Sequence, residues 1–338
     1  MRENGTLTEP RIGQVMLTWD AHICLPLHPD AEFSALDAFR ANGVDYVSVN
    51  VGMDLNPVSQ VMQTIAGFRA SIKRAPQQFR LARTVAEIES AKADGVLAIG
   101  FDLEGAMPLM DRPEMVAVYR ELGVNQIHFA YNRNNNVADG CHDTERGLTA
   151  LGKRMVRAVN EAGMLMDCSH TGRRCSLDIM AESNAPVIFS HANPLALVEH
   201  GRNITDEQIR ACAATGGVVC VSGVSWFLGR ATPGAGDIAR HAAYVADLVG
   251  IEHVGIGTDI GFYQAGVDDT PPGGFDPSYW WPKAAGYDRA LAKVEYVPVS
   301  AWRDMRDALM RAGIDDAGAA RVMGGNVARV ARHVWAGR

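Results

Sequence analysis

Several apolar runs in this chain end in residues able to bind a metal. Val15–His22 leads into Asp20-Ala21-His22-Ile23-Cys24, and Val96–Glu104 ends in Asp102-Leu103-Glu104-Gly105. Leu165–His170 ends in Asp167-Cys168-Ser169-His170, Pro186–His191 in Ser190-His191, and Val254–Asp259 in Thr258-Asp259. One histidine at the tip of an apolar strand is most often structural. Three of the ten histidines at such tips, with Glu104 and Asp259 at equivalent tips, point to a metal site. Imidazole and carboxylate together suit zinc, with iron and manganese left open. His22 and Cys24 are two apart, so on a strand both face one way and can chelate one ion. Glu104 can bridge that ion to a second held by His170 and His191. Such a pair activates a water and polarises a scissile carbonyl. Asp259 has no ligand role in this set. It is placed to take the proton from the water and deliver it to a leaving amine.

The elements that carry these tips alternate. With Val44–Val51, Val124–Tyr131 and Gly217–Ser222 the apolar, β-branched runs number eight. Amphipathic stretches separate them: Ala31–Ala41, Leu148–Ala162 ending at Gly163, a helix opened by Thr205-Asp206-Glu207-Gln208, and Asp237–Val249. Nearly all-apolar strands alternating with helices mean a parallel sheet buried on both faces. Eight of them predict an α/β fold, a (β/α)8 barrel in which the strand tips meet at one mouth. A doubly wound sheet normally carries a Gly-rich loop after its first strand, where this chain has His22-Ile23-Cys24-Leu25-Pro26. We expect one barrel domain over 1–338. A long loop at 263–298 follows the eighth strand and contains Pro271-Pro272-Gly273-Gly274 and Tyr279-Trp280-Trp281. It reads equally as a lid or as a surface flap or dimer contact. Trp302–Met310 and Asp316–Val334 read as closing helices.

Composition narrows the partners. The 338 residues carry 32 Lys+Arg and 39 Asp+Glu, a formal charge of −7, with 47% hydrophobic and 21% charged residues. That mix is globular. An acidic balance argues against nucleic acid and against an anionic membrane surface. No apolar run reaches the length of a membrane span. Met1–Arg11 is polar and lacks the apolar core of a leader, so the expected compartment is the cytoplasm. The six cysteines include no C-x-x-C pair, and Cys168, Cys212 and Cys220 read as small buried hydrophobes.

Several stretches resemble the membrane (renal) dipeptidase family of zinc peptidases, in its bacterial branch. They are Asp20-Ala21-His22-x-Cys24-x-Pro26, Glu104-Gly105, Phe129-Ala130-Tyr131-Asn132 and Ala138-Asp139-Gly140-Cys141. Arg146-Gly147-Leu148-Thr149-x-x-Gly152 and Asn160-x-x-Gly163-Met164-x-x-Asp167-x-Ser169-His170 are the most specific. Ala185–His191, Arg202-Asn203, Val254-Gly255-Ile256-Gly257-x-Asp259 and Gly324-Gly325-Asn326 complete the set, which spans about Asp20 to Val330. The resemblance implies a metal-dependent dipeptidase, tolerant of a D-residue on the C-terminal side, with two zinc ions and a homodimeric state. It implies that His22 and Glu104 hold one zinc and Glu104, His170 and His191 the other. It implies Arg202 as the clamp for the substrate carboxylate and Asp259 as the acid/base.

Two positions depart from the family. Tyr131 stands where the family has a histidine that approaches the substrate carbonyl. A phenol can also donate a hydrogen bond to an oxyanion, which makes Tyr131 both a catalytic and a substrate-binding candidate. His128 and His142 are near in sequence but off the matching position. Cys24 stands where the family has aspartate. As a thiolate it completes the first site, whereas as a neutral thiol it leaves one zinc per chain. Two alternatives stay open: a hydrolase of another small amide, such as an N-acyl amino acid, lactam or modified dipeptide, and a degenerate barrel that only binds a small molecule.

Overall fold

The computed structural model describes residues 16–287 and 294–335. The polar segment 1–11, Val15 of the first expected strand and residues 288–293 of the 263–298 loop lie outside the described residues. The strands are β1 (Trp19–Cys24), β2 (Tyr46–Met53), β3 (Phe79–Leu81), β4 (Leu97–Glu104) and β5 (Val124–His128). They continue with β6 (Leu165–Asp167), β7 (Val187–Phe189), β8 (Val218–Val221), β9 (Val254–Ile256) and β10 (Ile260–Gly261). Their order is β10-β1-β2-β4-β5-β6-β7-β8-β9, with parallel pairing throughout. Only Gly257–Asp259 separates β9 from β10, so the pairing of Ile260 with Ile23 closes the sheet into the expected (β/α)8 barrel.

Two strands escape the sequence reading because they are two and three residues long, too short to show a period. β3 pairs with Leu97–Ile99 on the edge of β4 that β5 takes over from Phe101. The expected strand Val254–Asp259 stops at Ile256 as β9, and β10 starts just beyond its expected end, because Asp259 takes a left-handed φ of 58° that no ladder accepts.

Helices cover the outside. Asp206–Ala214 starts on the expected Thr205–Gln208 capping box, and Ala150–Ala162 ends on Gly163 with φ 63°. The expected Asp316–Val334 helix is interrupted. Asp316–Ala320 and Asn326–Trp335 are joined by a widened turn at Arg321–Gly325. A Cβ on Gly324 would lie 2.2 Å from the Leu17 carbonyl oxygen, so only glycine lets the chain pass β1 here. No helix among the described residues is long and apolar enough to cross a membrane.

The barrel interior has two layers. The lower is apolar: Trp19, Ala21, Tyr46, Ala98, Leu165, Ile188, Val218 and Cys220 pack with Val327, Val330, Ala331 and Trp335 of the last helix. Trp19 lies 4.0 Å from Tyr46 and 5.6 Å from Trp335 between ring centroids, so Trp335 plugs the floor. The upper layer is polar and buried, with Ser48, Asn50, Asp102, Glu104, Gln126, His128 and Asp167. β1 crosses between the layers through a bulge, where three residues from Asp20 to Ile23 span two from Val47 to Val49. The extra residue moves the inward face from Trp19 and Ala21 to His22 and Cys24. Asp20, at the bulge, accepts from Thr258 N at 2.8 Å and Thr258 Oγ1 at 2.5 Å across the closing seam.

Trp335→Ala empties the floor without touching the mouth. We expect a loss of about 3–5 kcal/mol in unfolding free energy by denaturant titration. A loss below about 1 kcal/mol would show that the last helix does not seal the barrel.

Candidate metal centre

Strand register sets the upper layer. Glu104 is the register partner of His128, and His128 of Asp167. Asp102 sits two residues before Glu104 on the same face. The other tips lie beyond the ladders, because the strands stop sooner than their apolar runs. β5 ends at His128 rather than Tyr131, β6 at Asp167 rather than His170, and β7 at Phe189 rather than His191. Asn132, His170 and Asp259 have φ of 59°, 60° and 58°, a strained conformation for side-chain-bearing residues that turns each of them over the mouth. Gly257 permits the closest approach there, since a Cβ would lie 1.8 Å from the Ser190 carbonyl oxygen.

These residues converge on one atom. Glu104 Oε1 lies 3.4 Å from His22 Nε2, 3.8 Å from His128 Nε2, 3.4 Å from His170 Nε2 and 3.5 Å from His191 Nε2. The other oxygen, Oε2, accepts from Asn50 Nδ2 at 2.5 Å. The outer nitrogen of each ring faces an acceptor. His170 Nδ1 donates to Asn132 Oδ1 at 2.7 Å, and His191 Nδ1 to Ser190 Oγ at 2.7 Å, whose proton goes to Asp167 Oδ2 at 2.5 Å. His22 Nδ1 is 3.1 Å from Asp102 Oδ1, near enough to pair though not aligned for a hydrogen bond, and His128 Nδ1 is 3.5 Å from Asp167 Oδ2. With Nδ1 carrying the proton, His128, His170 and His191 each present an Nε2 lone pair inward, and His22 turns its Nε2 to the same point.

Glu104 Oε1, His128 Nε2 and His191 Nε2 are buried without a hydrogen-bond partner among the described residues. Lone pairs gathered around a dry carboxylate are unfavourable by themselves and fit a cation. Three triads bring ligand atoms within 4.8 Å: His22, Cys24 and Asp259; His22, Glu104 and His191; Glu104, His128 and His170. Nitrogen, sulfur and carboxylate oxygen together suit a divalent transition ion. Burial raises the Glu104 pKa to about 8, against the attraction of His22. Burial also lifts the Cys24 thiol to about 12, although its Sγ is only 3.5 Å from His22 Nε2. His170 and His191 are held well below the ordinary value by burial, reinforced by Arg202 and His22. His22 rises well above it, because Asp102 and Glu104 overcome its burial.

Arg202 and Tyr131 border this centre. Arg202 is 2% exposed, donates from Nη2 to the His191 carbonyl at 3.2 Å, and leaves Nε without a partner. It lines a cavity of about 540 Å³ with His170, Cys141, His200 and Ala284–Gly286. Tyr131 stacks on His170 at 4.4 Å, and its oxygen accepts from Trp281 Nε1 at 3.2 Å. The aromatic loop thus overhangs the mouth, held also by Asn132 Nδ2 donating to the Trp280 carbonyl at 3.0 Å. Asp259 Oδ1 lies 3.7 Å from His22 Nε2, Ser222 Oγ donates to its Oδ2 at 3.5 Å, and burial raises its pKa. His142 is drawn elsewhere, with Nε2 3.2 Å from Tyr287 Oη. In sequence His128 stands near Tyr131 but off the position that matches the family histidine. Strand alternation, which pairs it with Glu104, was the signal that could have found it.

Residues 27–275 match the model of the membrane dipeptidase family, peptidase family M19. That span holds Glu104, His128, His170, His191, Arg202 and Asp259, and His22 and Cys24 lie just before it. Dipeptidase verJ of Clonostachys rogersoniana is 30% identical over 78% of this chain, which spans only 65% of verJ. An amidohydrolase structure from Pseudomonas aeruginosa superposes with TM-score 0.83 at 26% identity, covering 95% of this chain and 97% of that one. A metallo peptidase from Rhodobacter sphaeroides, liganded with a phosphinate mimic of L-Ala-D-Ala, shares the fold. Its TM-score is 0.76 at 20% identity, over 95% of this chain and 100% of that one. The family match covers most of the chain and takes in the hub carboxylate with three of its four imidazoles, so the chain belongs to the membrane dipeptidase family.

Proposed function

We propose that this chain is a zinc-dependent dipeptidase that accepts a D-residue on the C-terminal side. The observation that carries this reading is the buried Arg202 guanidinium. It opens on the cavity beside His170 and keeps Nε unpartnered. A buried, unpaired guanidinium calls for a carboxylate. Set beside a metal centre, it selects substrates whose scissile bond lies close to a free C-terminus, which means short peptides. The dipeptide mimic bound to the Rhodobacter sphaeroides peptidase supports the same class.

His22, Cys24, Glu104, His170 and His191 would hold two zinc ions. The bound pair supplies an activated water and polarises the scissile carbonyl. The protein residues do the rest. Arg202 anchors the carboxylate and fixes the register of the peptide over the mouth. Asp259, with a pKa raised by burial, takes a proton from the water and returns it to the leaving amine. Tyr131 donates its phenolic proton to the developing oxyanion. Trp280 and Trp281 keep bulk water away from Tyr131. A homodimer is part of the proposal, carried by the family resemblance.

Free dipeptides should be hydrolysed and their C-terminal amides should be poor substrates. Arg202→Ala should raise KM for the free acids. Equal turnover of acid and amide by the wild type would refute the clamp, and no turnover of free dipeptides by the metal-loaded wild type would refute the dipeptidase reading.

Asp259→Asn should lose about 10²–10⁴-fold in rate while keeping its metal. Metal lost in step with activity would make Asp259 a ligand, as its place beside His22 and Cys24 allows.

Zinc content addresses Cys24. Near two zinc per chain, falling in Cys24→Ser, is the expected result. One zinc per chain, unchanged in that variant, would mean a one-metal hydrolase with a neutral thiol at 24.

A further inference from the structure

We infer that His128 is itself a metal ligand, completing a site with Glu104 and His170. The inference rests on reading the centre as a metal site and not on the identity of the substrate. His128 is 2% exposed and ends β5 in the barrel interior. Its register partners are Glu104 on one side and Asp167 on the other. Three adjacent parallel strands therefore aim carboxylate, imidazole and carboxylate at the same face from one level of the barrel.

The two ring nitrogens have different neighbours. Nδ1 is 3.5 Å from Asp167 Oδ2, which gives it an acceptor and places the proton there. Nε2 is 3.8 Å from Glu104 Oε1, and both atoms are buried without a hydrogen-bond partner. A lone pair facing a carboxylate oxygen in a dry interior is repulsive unless a cation sits between them. His170 supplies the third donor. Its ring stacks on His128 at 5.2 Å, its Nε2 lies 3.4 Å from the same oxygen, and the three ligand atoms fall within 4.8 Å of one another.

The outer contacts agree with this role. Asp167 faces His128 Nδ1 and also accepts from Ser190 Oγ, which in turn accepts from His191 Nδ1. One carboxylate thus orients two imidazoles whose Nε2 atoms face Glu104. Carboxylate partners of this kind set the tautomer and angle of metal-bound histidines. His128 thereby joins the site that the resemblance gives to Glu104, His170 and His191, and leaves His22 and Cys24 to the neighbouring one.

The test uses His128→Gln and His128→Ala, each stripped and reloaded with zinc or cobalt(II). Zinc content and affinity come from elemental analysis and competition with a chromophoric chelator. Cobalt reports its coordination through visible absorption. We expect both variants to lose high-affinity binding of one ion, by roughly 100-fold or more, since even outer partners cost 10–100-fold. The cobalt spectrum of that ion should vanish. The other ion, held by His22, Cys24 and Glu104, should remain and show that the barrel is folded. Wild-type stoichiometry, affinity and spectrum in both variants would overturn the inference. So would full rescue by glutamine but not alanine, which would make His128 a hydrogen-bonding partner of Glu104. A wild type that binds no divalent ion would overturn the metal reading together with this inference. A metal-loaded wild type inert on dipeptides would overturn the proposed substrate and leave His128 untouched.

Discussion

Glu104 is a carboxylate in a place where water cannot reach it, 2% exposed at the centre of the barrel mouth. Among the described residues its charge has no arginine or lysine at hydrogen-bond range. Four imidazole nitrogens surround one oxygen, and Asn50 holds the other. Burying such a group uncompensated costs several kcal/mol. The rest of the upper layer is arranged to make that position suitable for a cation. Each imidazole turns Nδ1 outward to Asp102, Asp167, Asn132 or Ser190 and Nε2 inward to Glu104.

The backbone carries the matching distortions. The β1 bulge turns His22 and Cys24 inward, and left-handed turns at Asn132, His170 and Asp259 lift those side chains off the ladders. These departures from regular geometry are tolerated because the lower layer is rigid. Trp19, Tyr46 and Trp335 fill the floor, and eight helix-backed strands fix the ends from which the distortions start. The left-handed turns at Asn132, His170 and Asp259 lie at the end of the barrel where folds of this kind bind ligands.

The sequence made this division partly legible. Apolar runs and their spacing revealed the eight principal strands, since burial on both faces leaves a strong compositional trace. His22, Glu104, His170 and His191 were visible as polar tips on apolar runs. The bulge in β1 was not, because an extra residue changes which face is inward without changing composition. The true strand ends were not legible either. His170 and Asp259 leave the ladder through φ angles that neither residue type announces, whereas a glycine would have. His128 was passed over because it was compared with Tyr131 along the chain rather than with Glu104 across it.

The closing seam has a kinetic consequence. Asp20 and Thr258 stand 238 residues apart in sequence, yet they bond where the ring shuts, and β10 adds only two residues to that pairing. A contact of such long range forms late, because the loop-closure entropy of nearly the whole chain must be overcome before it is rewarded. His22 and Asp259 lie on either side of this seam. The pocket is complete only when this seam is closed, so an ion bound there would hold the ring shut by mass action. Depleted of divalent ions, the barrel should exchange its amide hydrogens fastest along β1 and β10, so a bound ion would act as a lock on the fold.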